Sequence, residues 1–218
     1  GIFGKLNTDE LENFYKTVFL NMDGKYAMKK RLEYYKKKLK HLGKNVEIGC
    51  GVKFINPEFI SIGNDVKIDD DCVLRATNKN GIILGDNVRL KYGVYLDTET
   101  PDKGYIKLGK RVYIGTGCCL HGHMGLEIGE DSLLAQNITI TPFSHKFEDP
   151  KKIIFSQGGF MKKVTIGRDC YIGMNSCIIY SADIGEGSVV GAGSVVVKPV
   201  PHFSVAVGVP AKVIRKRR

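Results

Sequence analysis

The 218-residue chain is 43% hydrophobic and carries a formal charge of +10, with 26 glycines. No run approaches the roughly 20 apolar residues of a membrane span, and no signal-peptide pattern is present, so the expected compartment is the cytoplasm. The length allows a sizeable core in one or two domains, and six scattered cysteines without a CxxC pair read as small buried residues rather than a metal or redox set.

Residues 1–45 show no six-residue rhythm and are expected to form a short helical cap. Asn7 and Glu10 make a capping-box pattern ahead of Leu11, Phe14, Tyr15 and Val18. Asp23-Gly24 breaks that helix. A second helix is expected over about 27–42, with Met28, Leu32, Tyr35, Leu39 and Leu42 on one stripe and Gly43 as its stop. Much of the positive charge sits in "KKRLEYYKKKLKHLG" (29–43) and in a basic tail, 215–218. A solvated face is the plain reading, and peripheral contact with an anionic membrane is the sharper one. Nucleic acid is not expected, because aromatic residues are not interleaved with the lysines as stacking platforms.

From 46 to 214 the chain counts in sixes. Aliphatic-glycine pairs recur at Ile48-Gly49, Ile62-Gly63, Leu84-Gly85, Leu108-Gly109, Ile114-Gly115, Ile128-Gly129, Ile166-Gly167 and Ile172-Gly173. The longest series is Ile166, Ile172, Ile178, Ile184, Val190 and Val196. This period fits neither a helix nor a free strand. It fits short strands joined by tight turns and stacked as a parallel β-helix, an all-β fold in which three hexads make one triangular coil. The aliphatic side chain points inward. The next residue is small because the corner is crowded, and glycine there also tolerates φ > 0. Six or seven coils are expected.

The count stops at 141–163, where "TPFSHKFEDP" places His145 in an extended loop. Ordering such a loop inside a tight solenoid costs entropy and points to function. Of the other histidines, His41 and His202 read as surface residues. His121 and His123, from "CCLHGHMG", sit one coil below the start of the loop, since Leu120 and Ile140 occupy the same place in successive coils.

The stretch "VTIGRDCYIGMNSCIIYSADIGEGSVVGAGSVVVKPVPHFSVAVGVPAKVIRK" (164–216) resembles the ending of the left-handed β-helix hexapeptide-repeat acyltransferases. The likeness covers roughly 44–216 and is strongest toward maltose/galactoside and capsule or lipopolysaccharide O-acetyltransferases. It implies the left hand, a homotrimer with active sites between neighbouring prisms, and acetyl transfer from acetyl-CoA to a sugar or polysaccharide hydroxyl. His145 becomes the general base that takes the hydroxyl proton, oriented by Glu148, Asp149 or a backbone carbonyl. His121, His123 and Asn137 fall on the acceptor side, with His121 standing where galactoside-type members have a sugar-contacting asparagine. Gly173, Met174, Gly191, Ala192, Val197 and Lys198 line the acetyl-CoA slot, and Lys212 and Arg215 lie near its phosphates. Lys198 sits in Val197-Lys198-Pro199, where the family commonly has Thr-Lys-Asp. A backbone N–H near Gly173 would serve the oxyanion.

Two alternatives are weighed. An amino-sugar N-acetyltransferase would use the same fold. A zinc enzyme resembling γ-type carbonic anhydrases could draw ligands from His121, His123 and His145. That family separates its ligand pair by four residues, whereas here one residue intervenes, so no metal is expected.

Overall fold

The computed structural model describes residues 7–217; residues 1–6 of the expected cap and Arg218 of the expected basic tail lie outside the described residues. Helix α1 spans Thr8–Phe19, and its capping box forms: Asn7 Oδ1 accepts from the backbone of Asp9 and Glu10, and Glu10 answers to the Asn7 N–H. Helix α2 spans Lys25–Lys36 and stops short of the expected 42. The reason lies downstream, because His41–Leu42 already pairs in parallel with Ser61–Ile62 as the first strand of the prism. Gly43 is therefore a prism corner rather than a helix stop, and the expected boundary at 45/46 falls inside the first coil.

The buried stripe of α2 is Ala27, Arg31 and Tyr35. Arg31 is 2% exposed and gives its guanidinium to the carbonyls of Ile48, Phe19 and Met22. It ties the helices to the open end of the prism, and a buried cation with every bond directed at carbonyls is a satisfied one. No helix among the described residues is long and apolar enough to cross a membrane.

The rest is a left-handed parallel β-helix of about seven turns. Its three faces are sheets of six, seven and nine strands, and a separate two-stranded hairpin stands off it. Each strand pairs with the equivalent strand of the next coil in register; Leu120, for example, lies between Leu96 and Ile140. The hexad aliphatics form the core: Ile62, Leu90, Leu96, Ile114, Leu120, Ile140, Ile172 and Ile178 are fully buried. One coil cannot cover its own apolar side chains, so burial comes from stacking.

The corner glycines are small because backbones approach closely. A Cβ on Gly129 would lie 2.4 Å from the nitrogen of Arg168, and one on Gly173 would lie 2.4 Å from that of Ala192. The expected positive φ is not at these glycines. It falls two residues later, at Asp65 (56°), Asn87 (60°), Asp131 (62°), Asn137 (55°) and Asn175 (58°), residue types that tolerate the left-handed region.

Two of the three edges of the prism hold strictly to six residues per corner, as in 62–67, 84–89 and 108–113 on one edge and 90–95, 114–119 and 172–177 on the next. The departures gather on the third edge, where the chain leaves the face containing Tyr95–Asp97 and Cys119–His121. The corner segments 98–105, 122–125 and 142–163 all lie there. At the far end, Ala211–Lys216 runs antiparallel to Ser204–Gly208, so Arg215 and Lys216 belong to a strand and the expected tail begins within it.

Candidate active site

The third edge collects the ionisable groups. His121 is half-buried at the end of its strand; its Nδ1 is 2.9 Å from Glu99 Oε1 and its Nε2 is 3.2 Å from Cys119 Sγ. The bond to Cys119 raises the His121 pKa above its ordinary value, Glu99 adds to the effect and burial opposes it. One coil below, Asp97 is fully buried and is satisfied by Arg75 Nη1 (2.9 Å), Tyr95 OH (2.6 Å) and the Glu99 N–H (2.8 Å). Burial and that bond push the Tyr95 hydroxyl up to about 12. His123 follows on the same corner. Burial lowers its pKa, and its Nδ1 is enclosed without a partner among the described residues.

The hairpin grows from the strand Thr139–Thr141. Phe143–His145 runs antiparallel to Gly159–Met161, which pairs His145 with Gly159. Two ring stacks dock it on the prism. Phe143 lies on His123 at 5.2 Å and 15°, and Phe160 lies on Tyr180 at 6.1 Å and 12°. His145 packs edge-on to Phe143 at 4.7 Å and is exposed. Neither acidic candidate for orienting it bonds the His145 ring among the described residues. Asp149 is held by Lys152 at 2.9 Å and by the Lys151 N–H, and Glu148 accepts from the Phe147 N–H. The His145 ring makes no hydrogen bond among the described residues.

The imidazoles of His121, His123 and His145 do not converge on a point, because the Phe143 ring lies between His123 and His145. Among the described residues no group of three His, Cys, Asp or Glu side chains is arranged to hold a metal.

Asn137 lies on a regular corner ahead of Thr139–Thr141, at the opposite end of that strand from the hairpin. It takes the left-handed turn conformation, and its N–H goes to Thr116 O. On the same edge, higher up, Gly173-Met174 and Gly191-Ala192 stack directly, and the Gly193 N–H reaches Met174 O at 2.8 Å. Met174 and Ala192 are exposed. Val197 and Lys198 follow Val195–Val196, the last strand of the seven-stranded face, while Lys212 and Arg215 are exposed on Ala211–Lys216. The Gly173 N–H donates to Val190 O at 2.8 Å and is thus committed, as is that of Asn175 to Gln136 O. The N–H between them, on Met174, has no partner among the described residues.

Sequence reasoning missed Arg75, Tyr95, Asp97, Glu99 and Cys119. A signal was present: the count also slips between Leu96 and Leu108, a smaller break on the same edge as the hairpin. Two concavities among the described residues lie away from these side chains. One of about 490 Å³ is lined by Arg31, Asp70 and Tyr92, and one of about 530 Å³ by Thr165, Pro199 and His202.

A family profile described as the hexapeptide repeat of succinyl-transferase matches residues 60–98, 105–142 and 163–198. The gaps between these stretches are the two long corners of the third edge. Over 116 residues the chain is 34% identical to a Mycobacterium tuberculosis protein named probable acetyltransferase, covering 53% of this chain and 39% of that protein. Over 135 residues it is 34% identical to the galactoside O-acetyltransferase of Escherichia coli strain K12, covering 61% and 63% respectively. The chain spans less than two thirds of either relative. A crystal structure of a variant of AntD, an N-acyltransferase from Bacillus cereus, in complex with dTDP and coenzyme A matches with a TM-score of 0.60 at 26% identity, over 85% of this chain and 88% of that one.

Proposed function

The chain belongs to the hexapeptide-repeat acyltransferases, and we propose that it moves acetyl from acetyl-CoA to a hydroxyl of a sugar or polysaccharide precursor, with His145 as general base. The observation that carries this reading is the docked hairpin. It is the largest break in the solenoid, and it holds an exposed imidazole clear of the prism wall. A neutral imidazole takes the acceptor proton as its oxygen attacks the thioester carbonyl, a role suited to pH 7. The exposed Met174 N–H is the donor left for the oxyanion.

In one chain the donor ridge of Met174 and Ala192 and the hairpin occupy different edges of the prism. A homotrimer would bring the hairpin of one copy against the ridge of the next. Its surface supports that role, since Ile153, Ile154 and Phe155 are 78%, 56% and 88% exposed. Lys198, Lys212 and Arg215 would supply charge for the phosphates of the cofactor. Peripheral membrane contact through α2 belongs to the same proposal: Lys25, Lys29, Lys36 and Lys37 stay exposed, while Lys30 and Lys38 are taken by Glu33 and Glu12.

N-acetylation of an amino sugar is the second reading. The match to AntD favours it, and the Glu99 carboxylate would suit an ammonium group. The test is release of CoA from acetyl-CoA with a panel of oligosaccharides and of amino- and hydroxy-nucleotide sugars. Turnover with hydroxyl acceptors alone supports the first reading. Turnover confined to amines selects the second, and no turnover with any acceptor overturns both.

A further inference from the structure

Of the buried side-chain nitrogens and oxygens among the described residues, His123 Nδ1 is the one without a hydrogen-bond partner. Most buried polar atoms are satisfied, so an unsatisfied one calls for a cause. The faces of its ring supply one. His123 stands third in a line of five rings that runs from the prism into the hairpin. The rings are Tyr95, His121, His123, Phe143 and His145, and successive centroids are 6.1, 5.7, 5.2 and 4.7 Å apart. The prism end of the line is fixed. Tyr95 OH donates to the fully buried Asp97 at 2.6 Å, and His121 is held by Glu99 on one ring nitrogen and by Cys119 on the other. The backbone of His123 is fixed as well. Thr100 Oγ1 donates to its carbonyl at 2.5 Å, and its corner is closed by the Gly122 N–H on Asp97 O and the Gly125 N–H on Gly122 O.

The hairpin meets this line at Phe143. That ring lies nearly flat on His123 and stands at 87° to the ring of His145. It also fills the place of a side chain on Gly159, where a Cβ would fall 2.3 Å from Phe143 Cε2. Gly159 is the cross-strand partner of His145. A tilt of Phe143 would therefore disturb both strands of the hairpin and the ring of His145. His123 offers Phe143 a face and no hydrogen bond. Burial lowers the His123 pKa against the pull of Glu99 and Asp97. The ring is thus kept neutral, the form that can stack without stranding a charge.

We propose that His123 is a positioning residue: its ring is the surface on which Phe143 is laid, and through Phe143 it sets where His145 stands. This rests on the reading of His145 as general base. It moves His123 from the acceptor side, where the resemblance put it, to the support of the base. Without the His123 face the hairpin keeps its root, where the Lys162 N–H bonds Pro142 O, and its second stack, Phe160 on Tyr180. The strand Phe143–His145 then loses its ring contact with the prism, and the imidazole can shift. A displacement of about 1 Å can cost a reaction about 10²-fold.

The test pairs kinetics with hydrogen exchange of the full chain, read by mass spectrometry on peptides covering 143–146 and 158–162. Exchange needs neither acceptor nor turnover. In His123→Ala these peptides should exchange about 10-fold faster. The kcat should fall by about 10–10²-fold, with the KM for acetyl-CoA unchanged because the ridge of Met174 and Ala192 lies on another edge. Phe143→Ala, on the hairpin itself, should give the same two results and serves where His123→Ala fails to fold. The double variant should be no worse than either single one, since both remove the same contact. His123→Phe keeps the face and discards the nitrogens, and it should restore the protection and most of kcat. Unchanged exchange in His123→Ala, or faster exchange with full kcat, overturns the inference and leaves the proposed function standing. Failure of His123→Phe to restore kcat, with a raised KM for the acceptor, also overturns it and returns His123 to the acceptor side. Full turnover by His145→Ala removes the base and the positioning role together.

Discussion

Two edges of this prism obey a six-residue rule and the third does not. On the regular edges most corners are an aliphatic, a small residue and a left-handed Asn, Asp or Gly, with Lys91 and the left-handed Arg111 as departures, and the next backbone passes within 3 Å of where a Cβ would be at Gly63, Gly85 and Gly129. Such a corner has no room for variation. The third edge carries 98–105 and the hairpin, and with them Glu99, His121, His123 and His145. Coils stack through their faces, so one corner can lengthen without disturbing pairing above or below. The repeat supplies stability along two edges and leaves the third free to lengthen and to carry ionisable side chains.

The division is open to experiment. The largest effect is expected from excising 143–160. Lys162 N already bonds Pro142 O at 3.0 Å, and joining Pro142 to Met161 restores six-residue spacing from Ile140 to Val164. The shortened chain should melt cooperatively near the wild-type temperature by circular dichroism and show no transfer. Loss of the fold would show that the hairpin is structural. Next comes Leu120→Ala, which opens a cavity in a fully buried site and should cost about 2–5 kcal/mol by denaturant titration. Phe155→Ser on the hairpin should stay within about 0.5 kcal/mol in a monomer. The smallest effect concerns pH. Because the folded-state pKa of His121 is raised, chiefly by its bond to Cys119, its stabilising contribution is fully present below about 6.5 and lost as pH rises through the raised value. The melting difference between wild type and His121→Gln should therefore shrink above that point, with Glu99, Cys119 and His123 the titratable neighbours on this corner.

Hexad spacing alone made the solenoid legible, because burial demands an aliphatic residue at each inward position. His145 was visible because it stands in the longest break. The cap was read less well. Arg31 is buried although charged, since carbonyls of three separate segments meet it, and no local pattern announces that. Glu99 escaped for a related reason. It lies 22 residues before His121 and reaches its ring only through coil stacking, so spacing along the chain conceals that contact, while Cys119 bonds the other ring nitrogen from two residues away. Asn137, assigned to the acceptor side from the resemblance, stands in the left-handed turn conformation of a regular corner.

The central claim is that the solenoid carries a catalytic imidazole it does not need for its own stability. Measuring kcat and melting temperature on one preparation of His145→Ala tests it most directly. The ring is exposed and makes no hydrogen bond among the described residues, so the melting temperature should hold while kcat falls by about 10²–10⁴. An unchanged kcat would contradict the account.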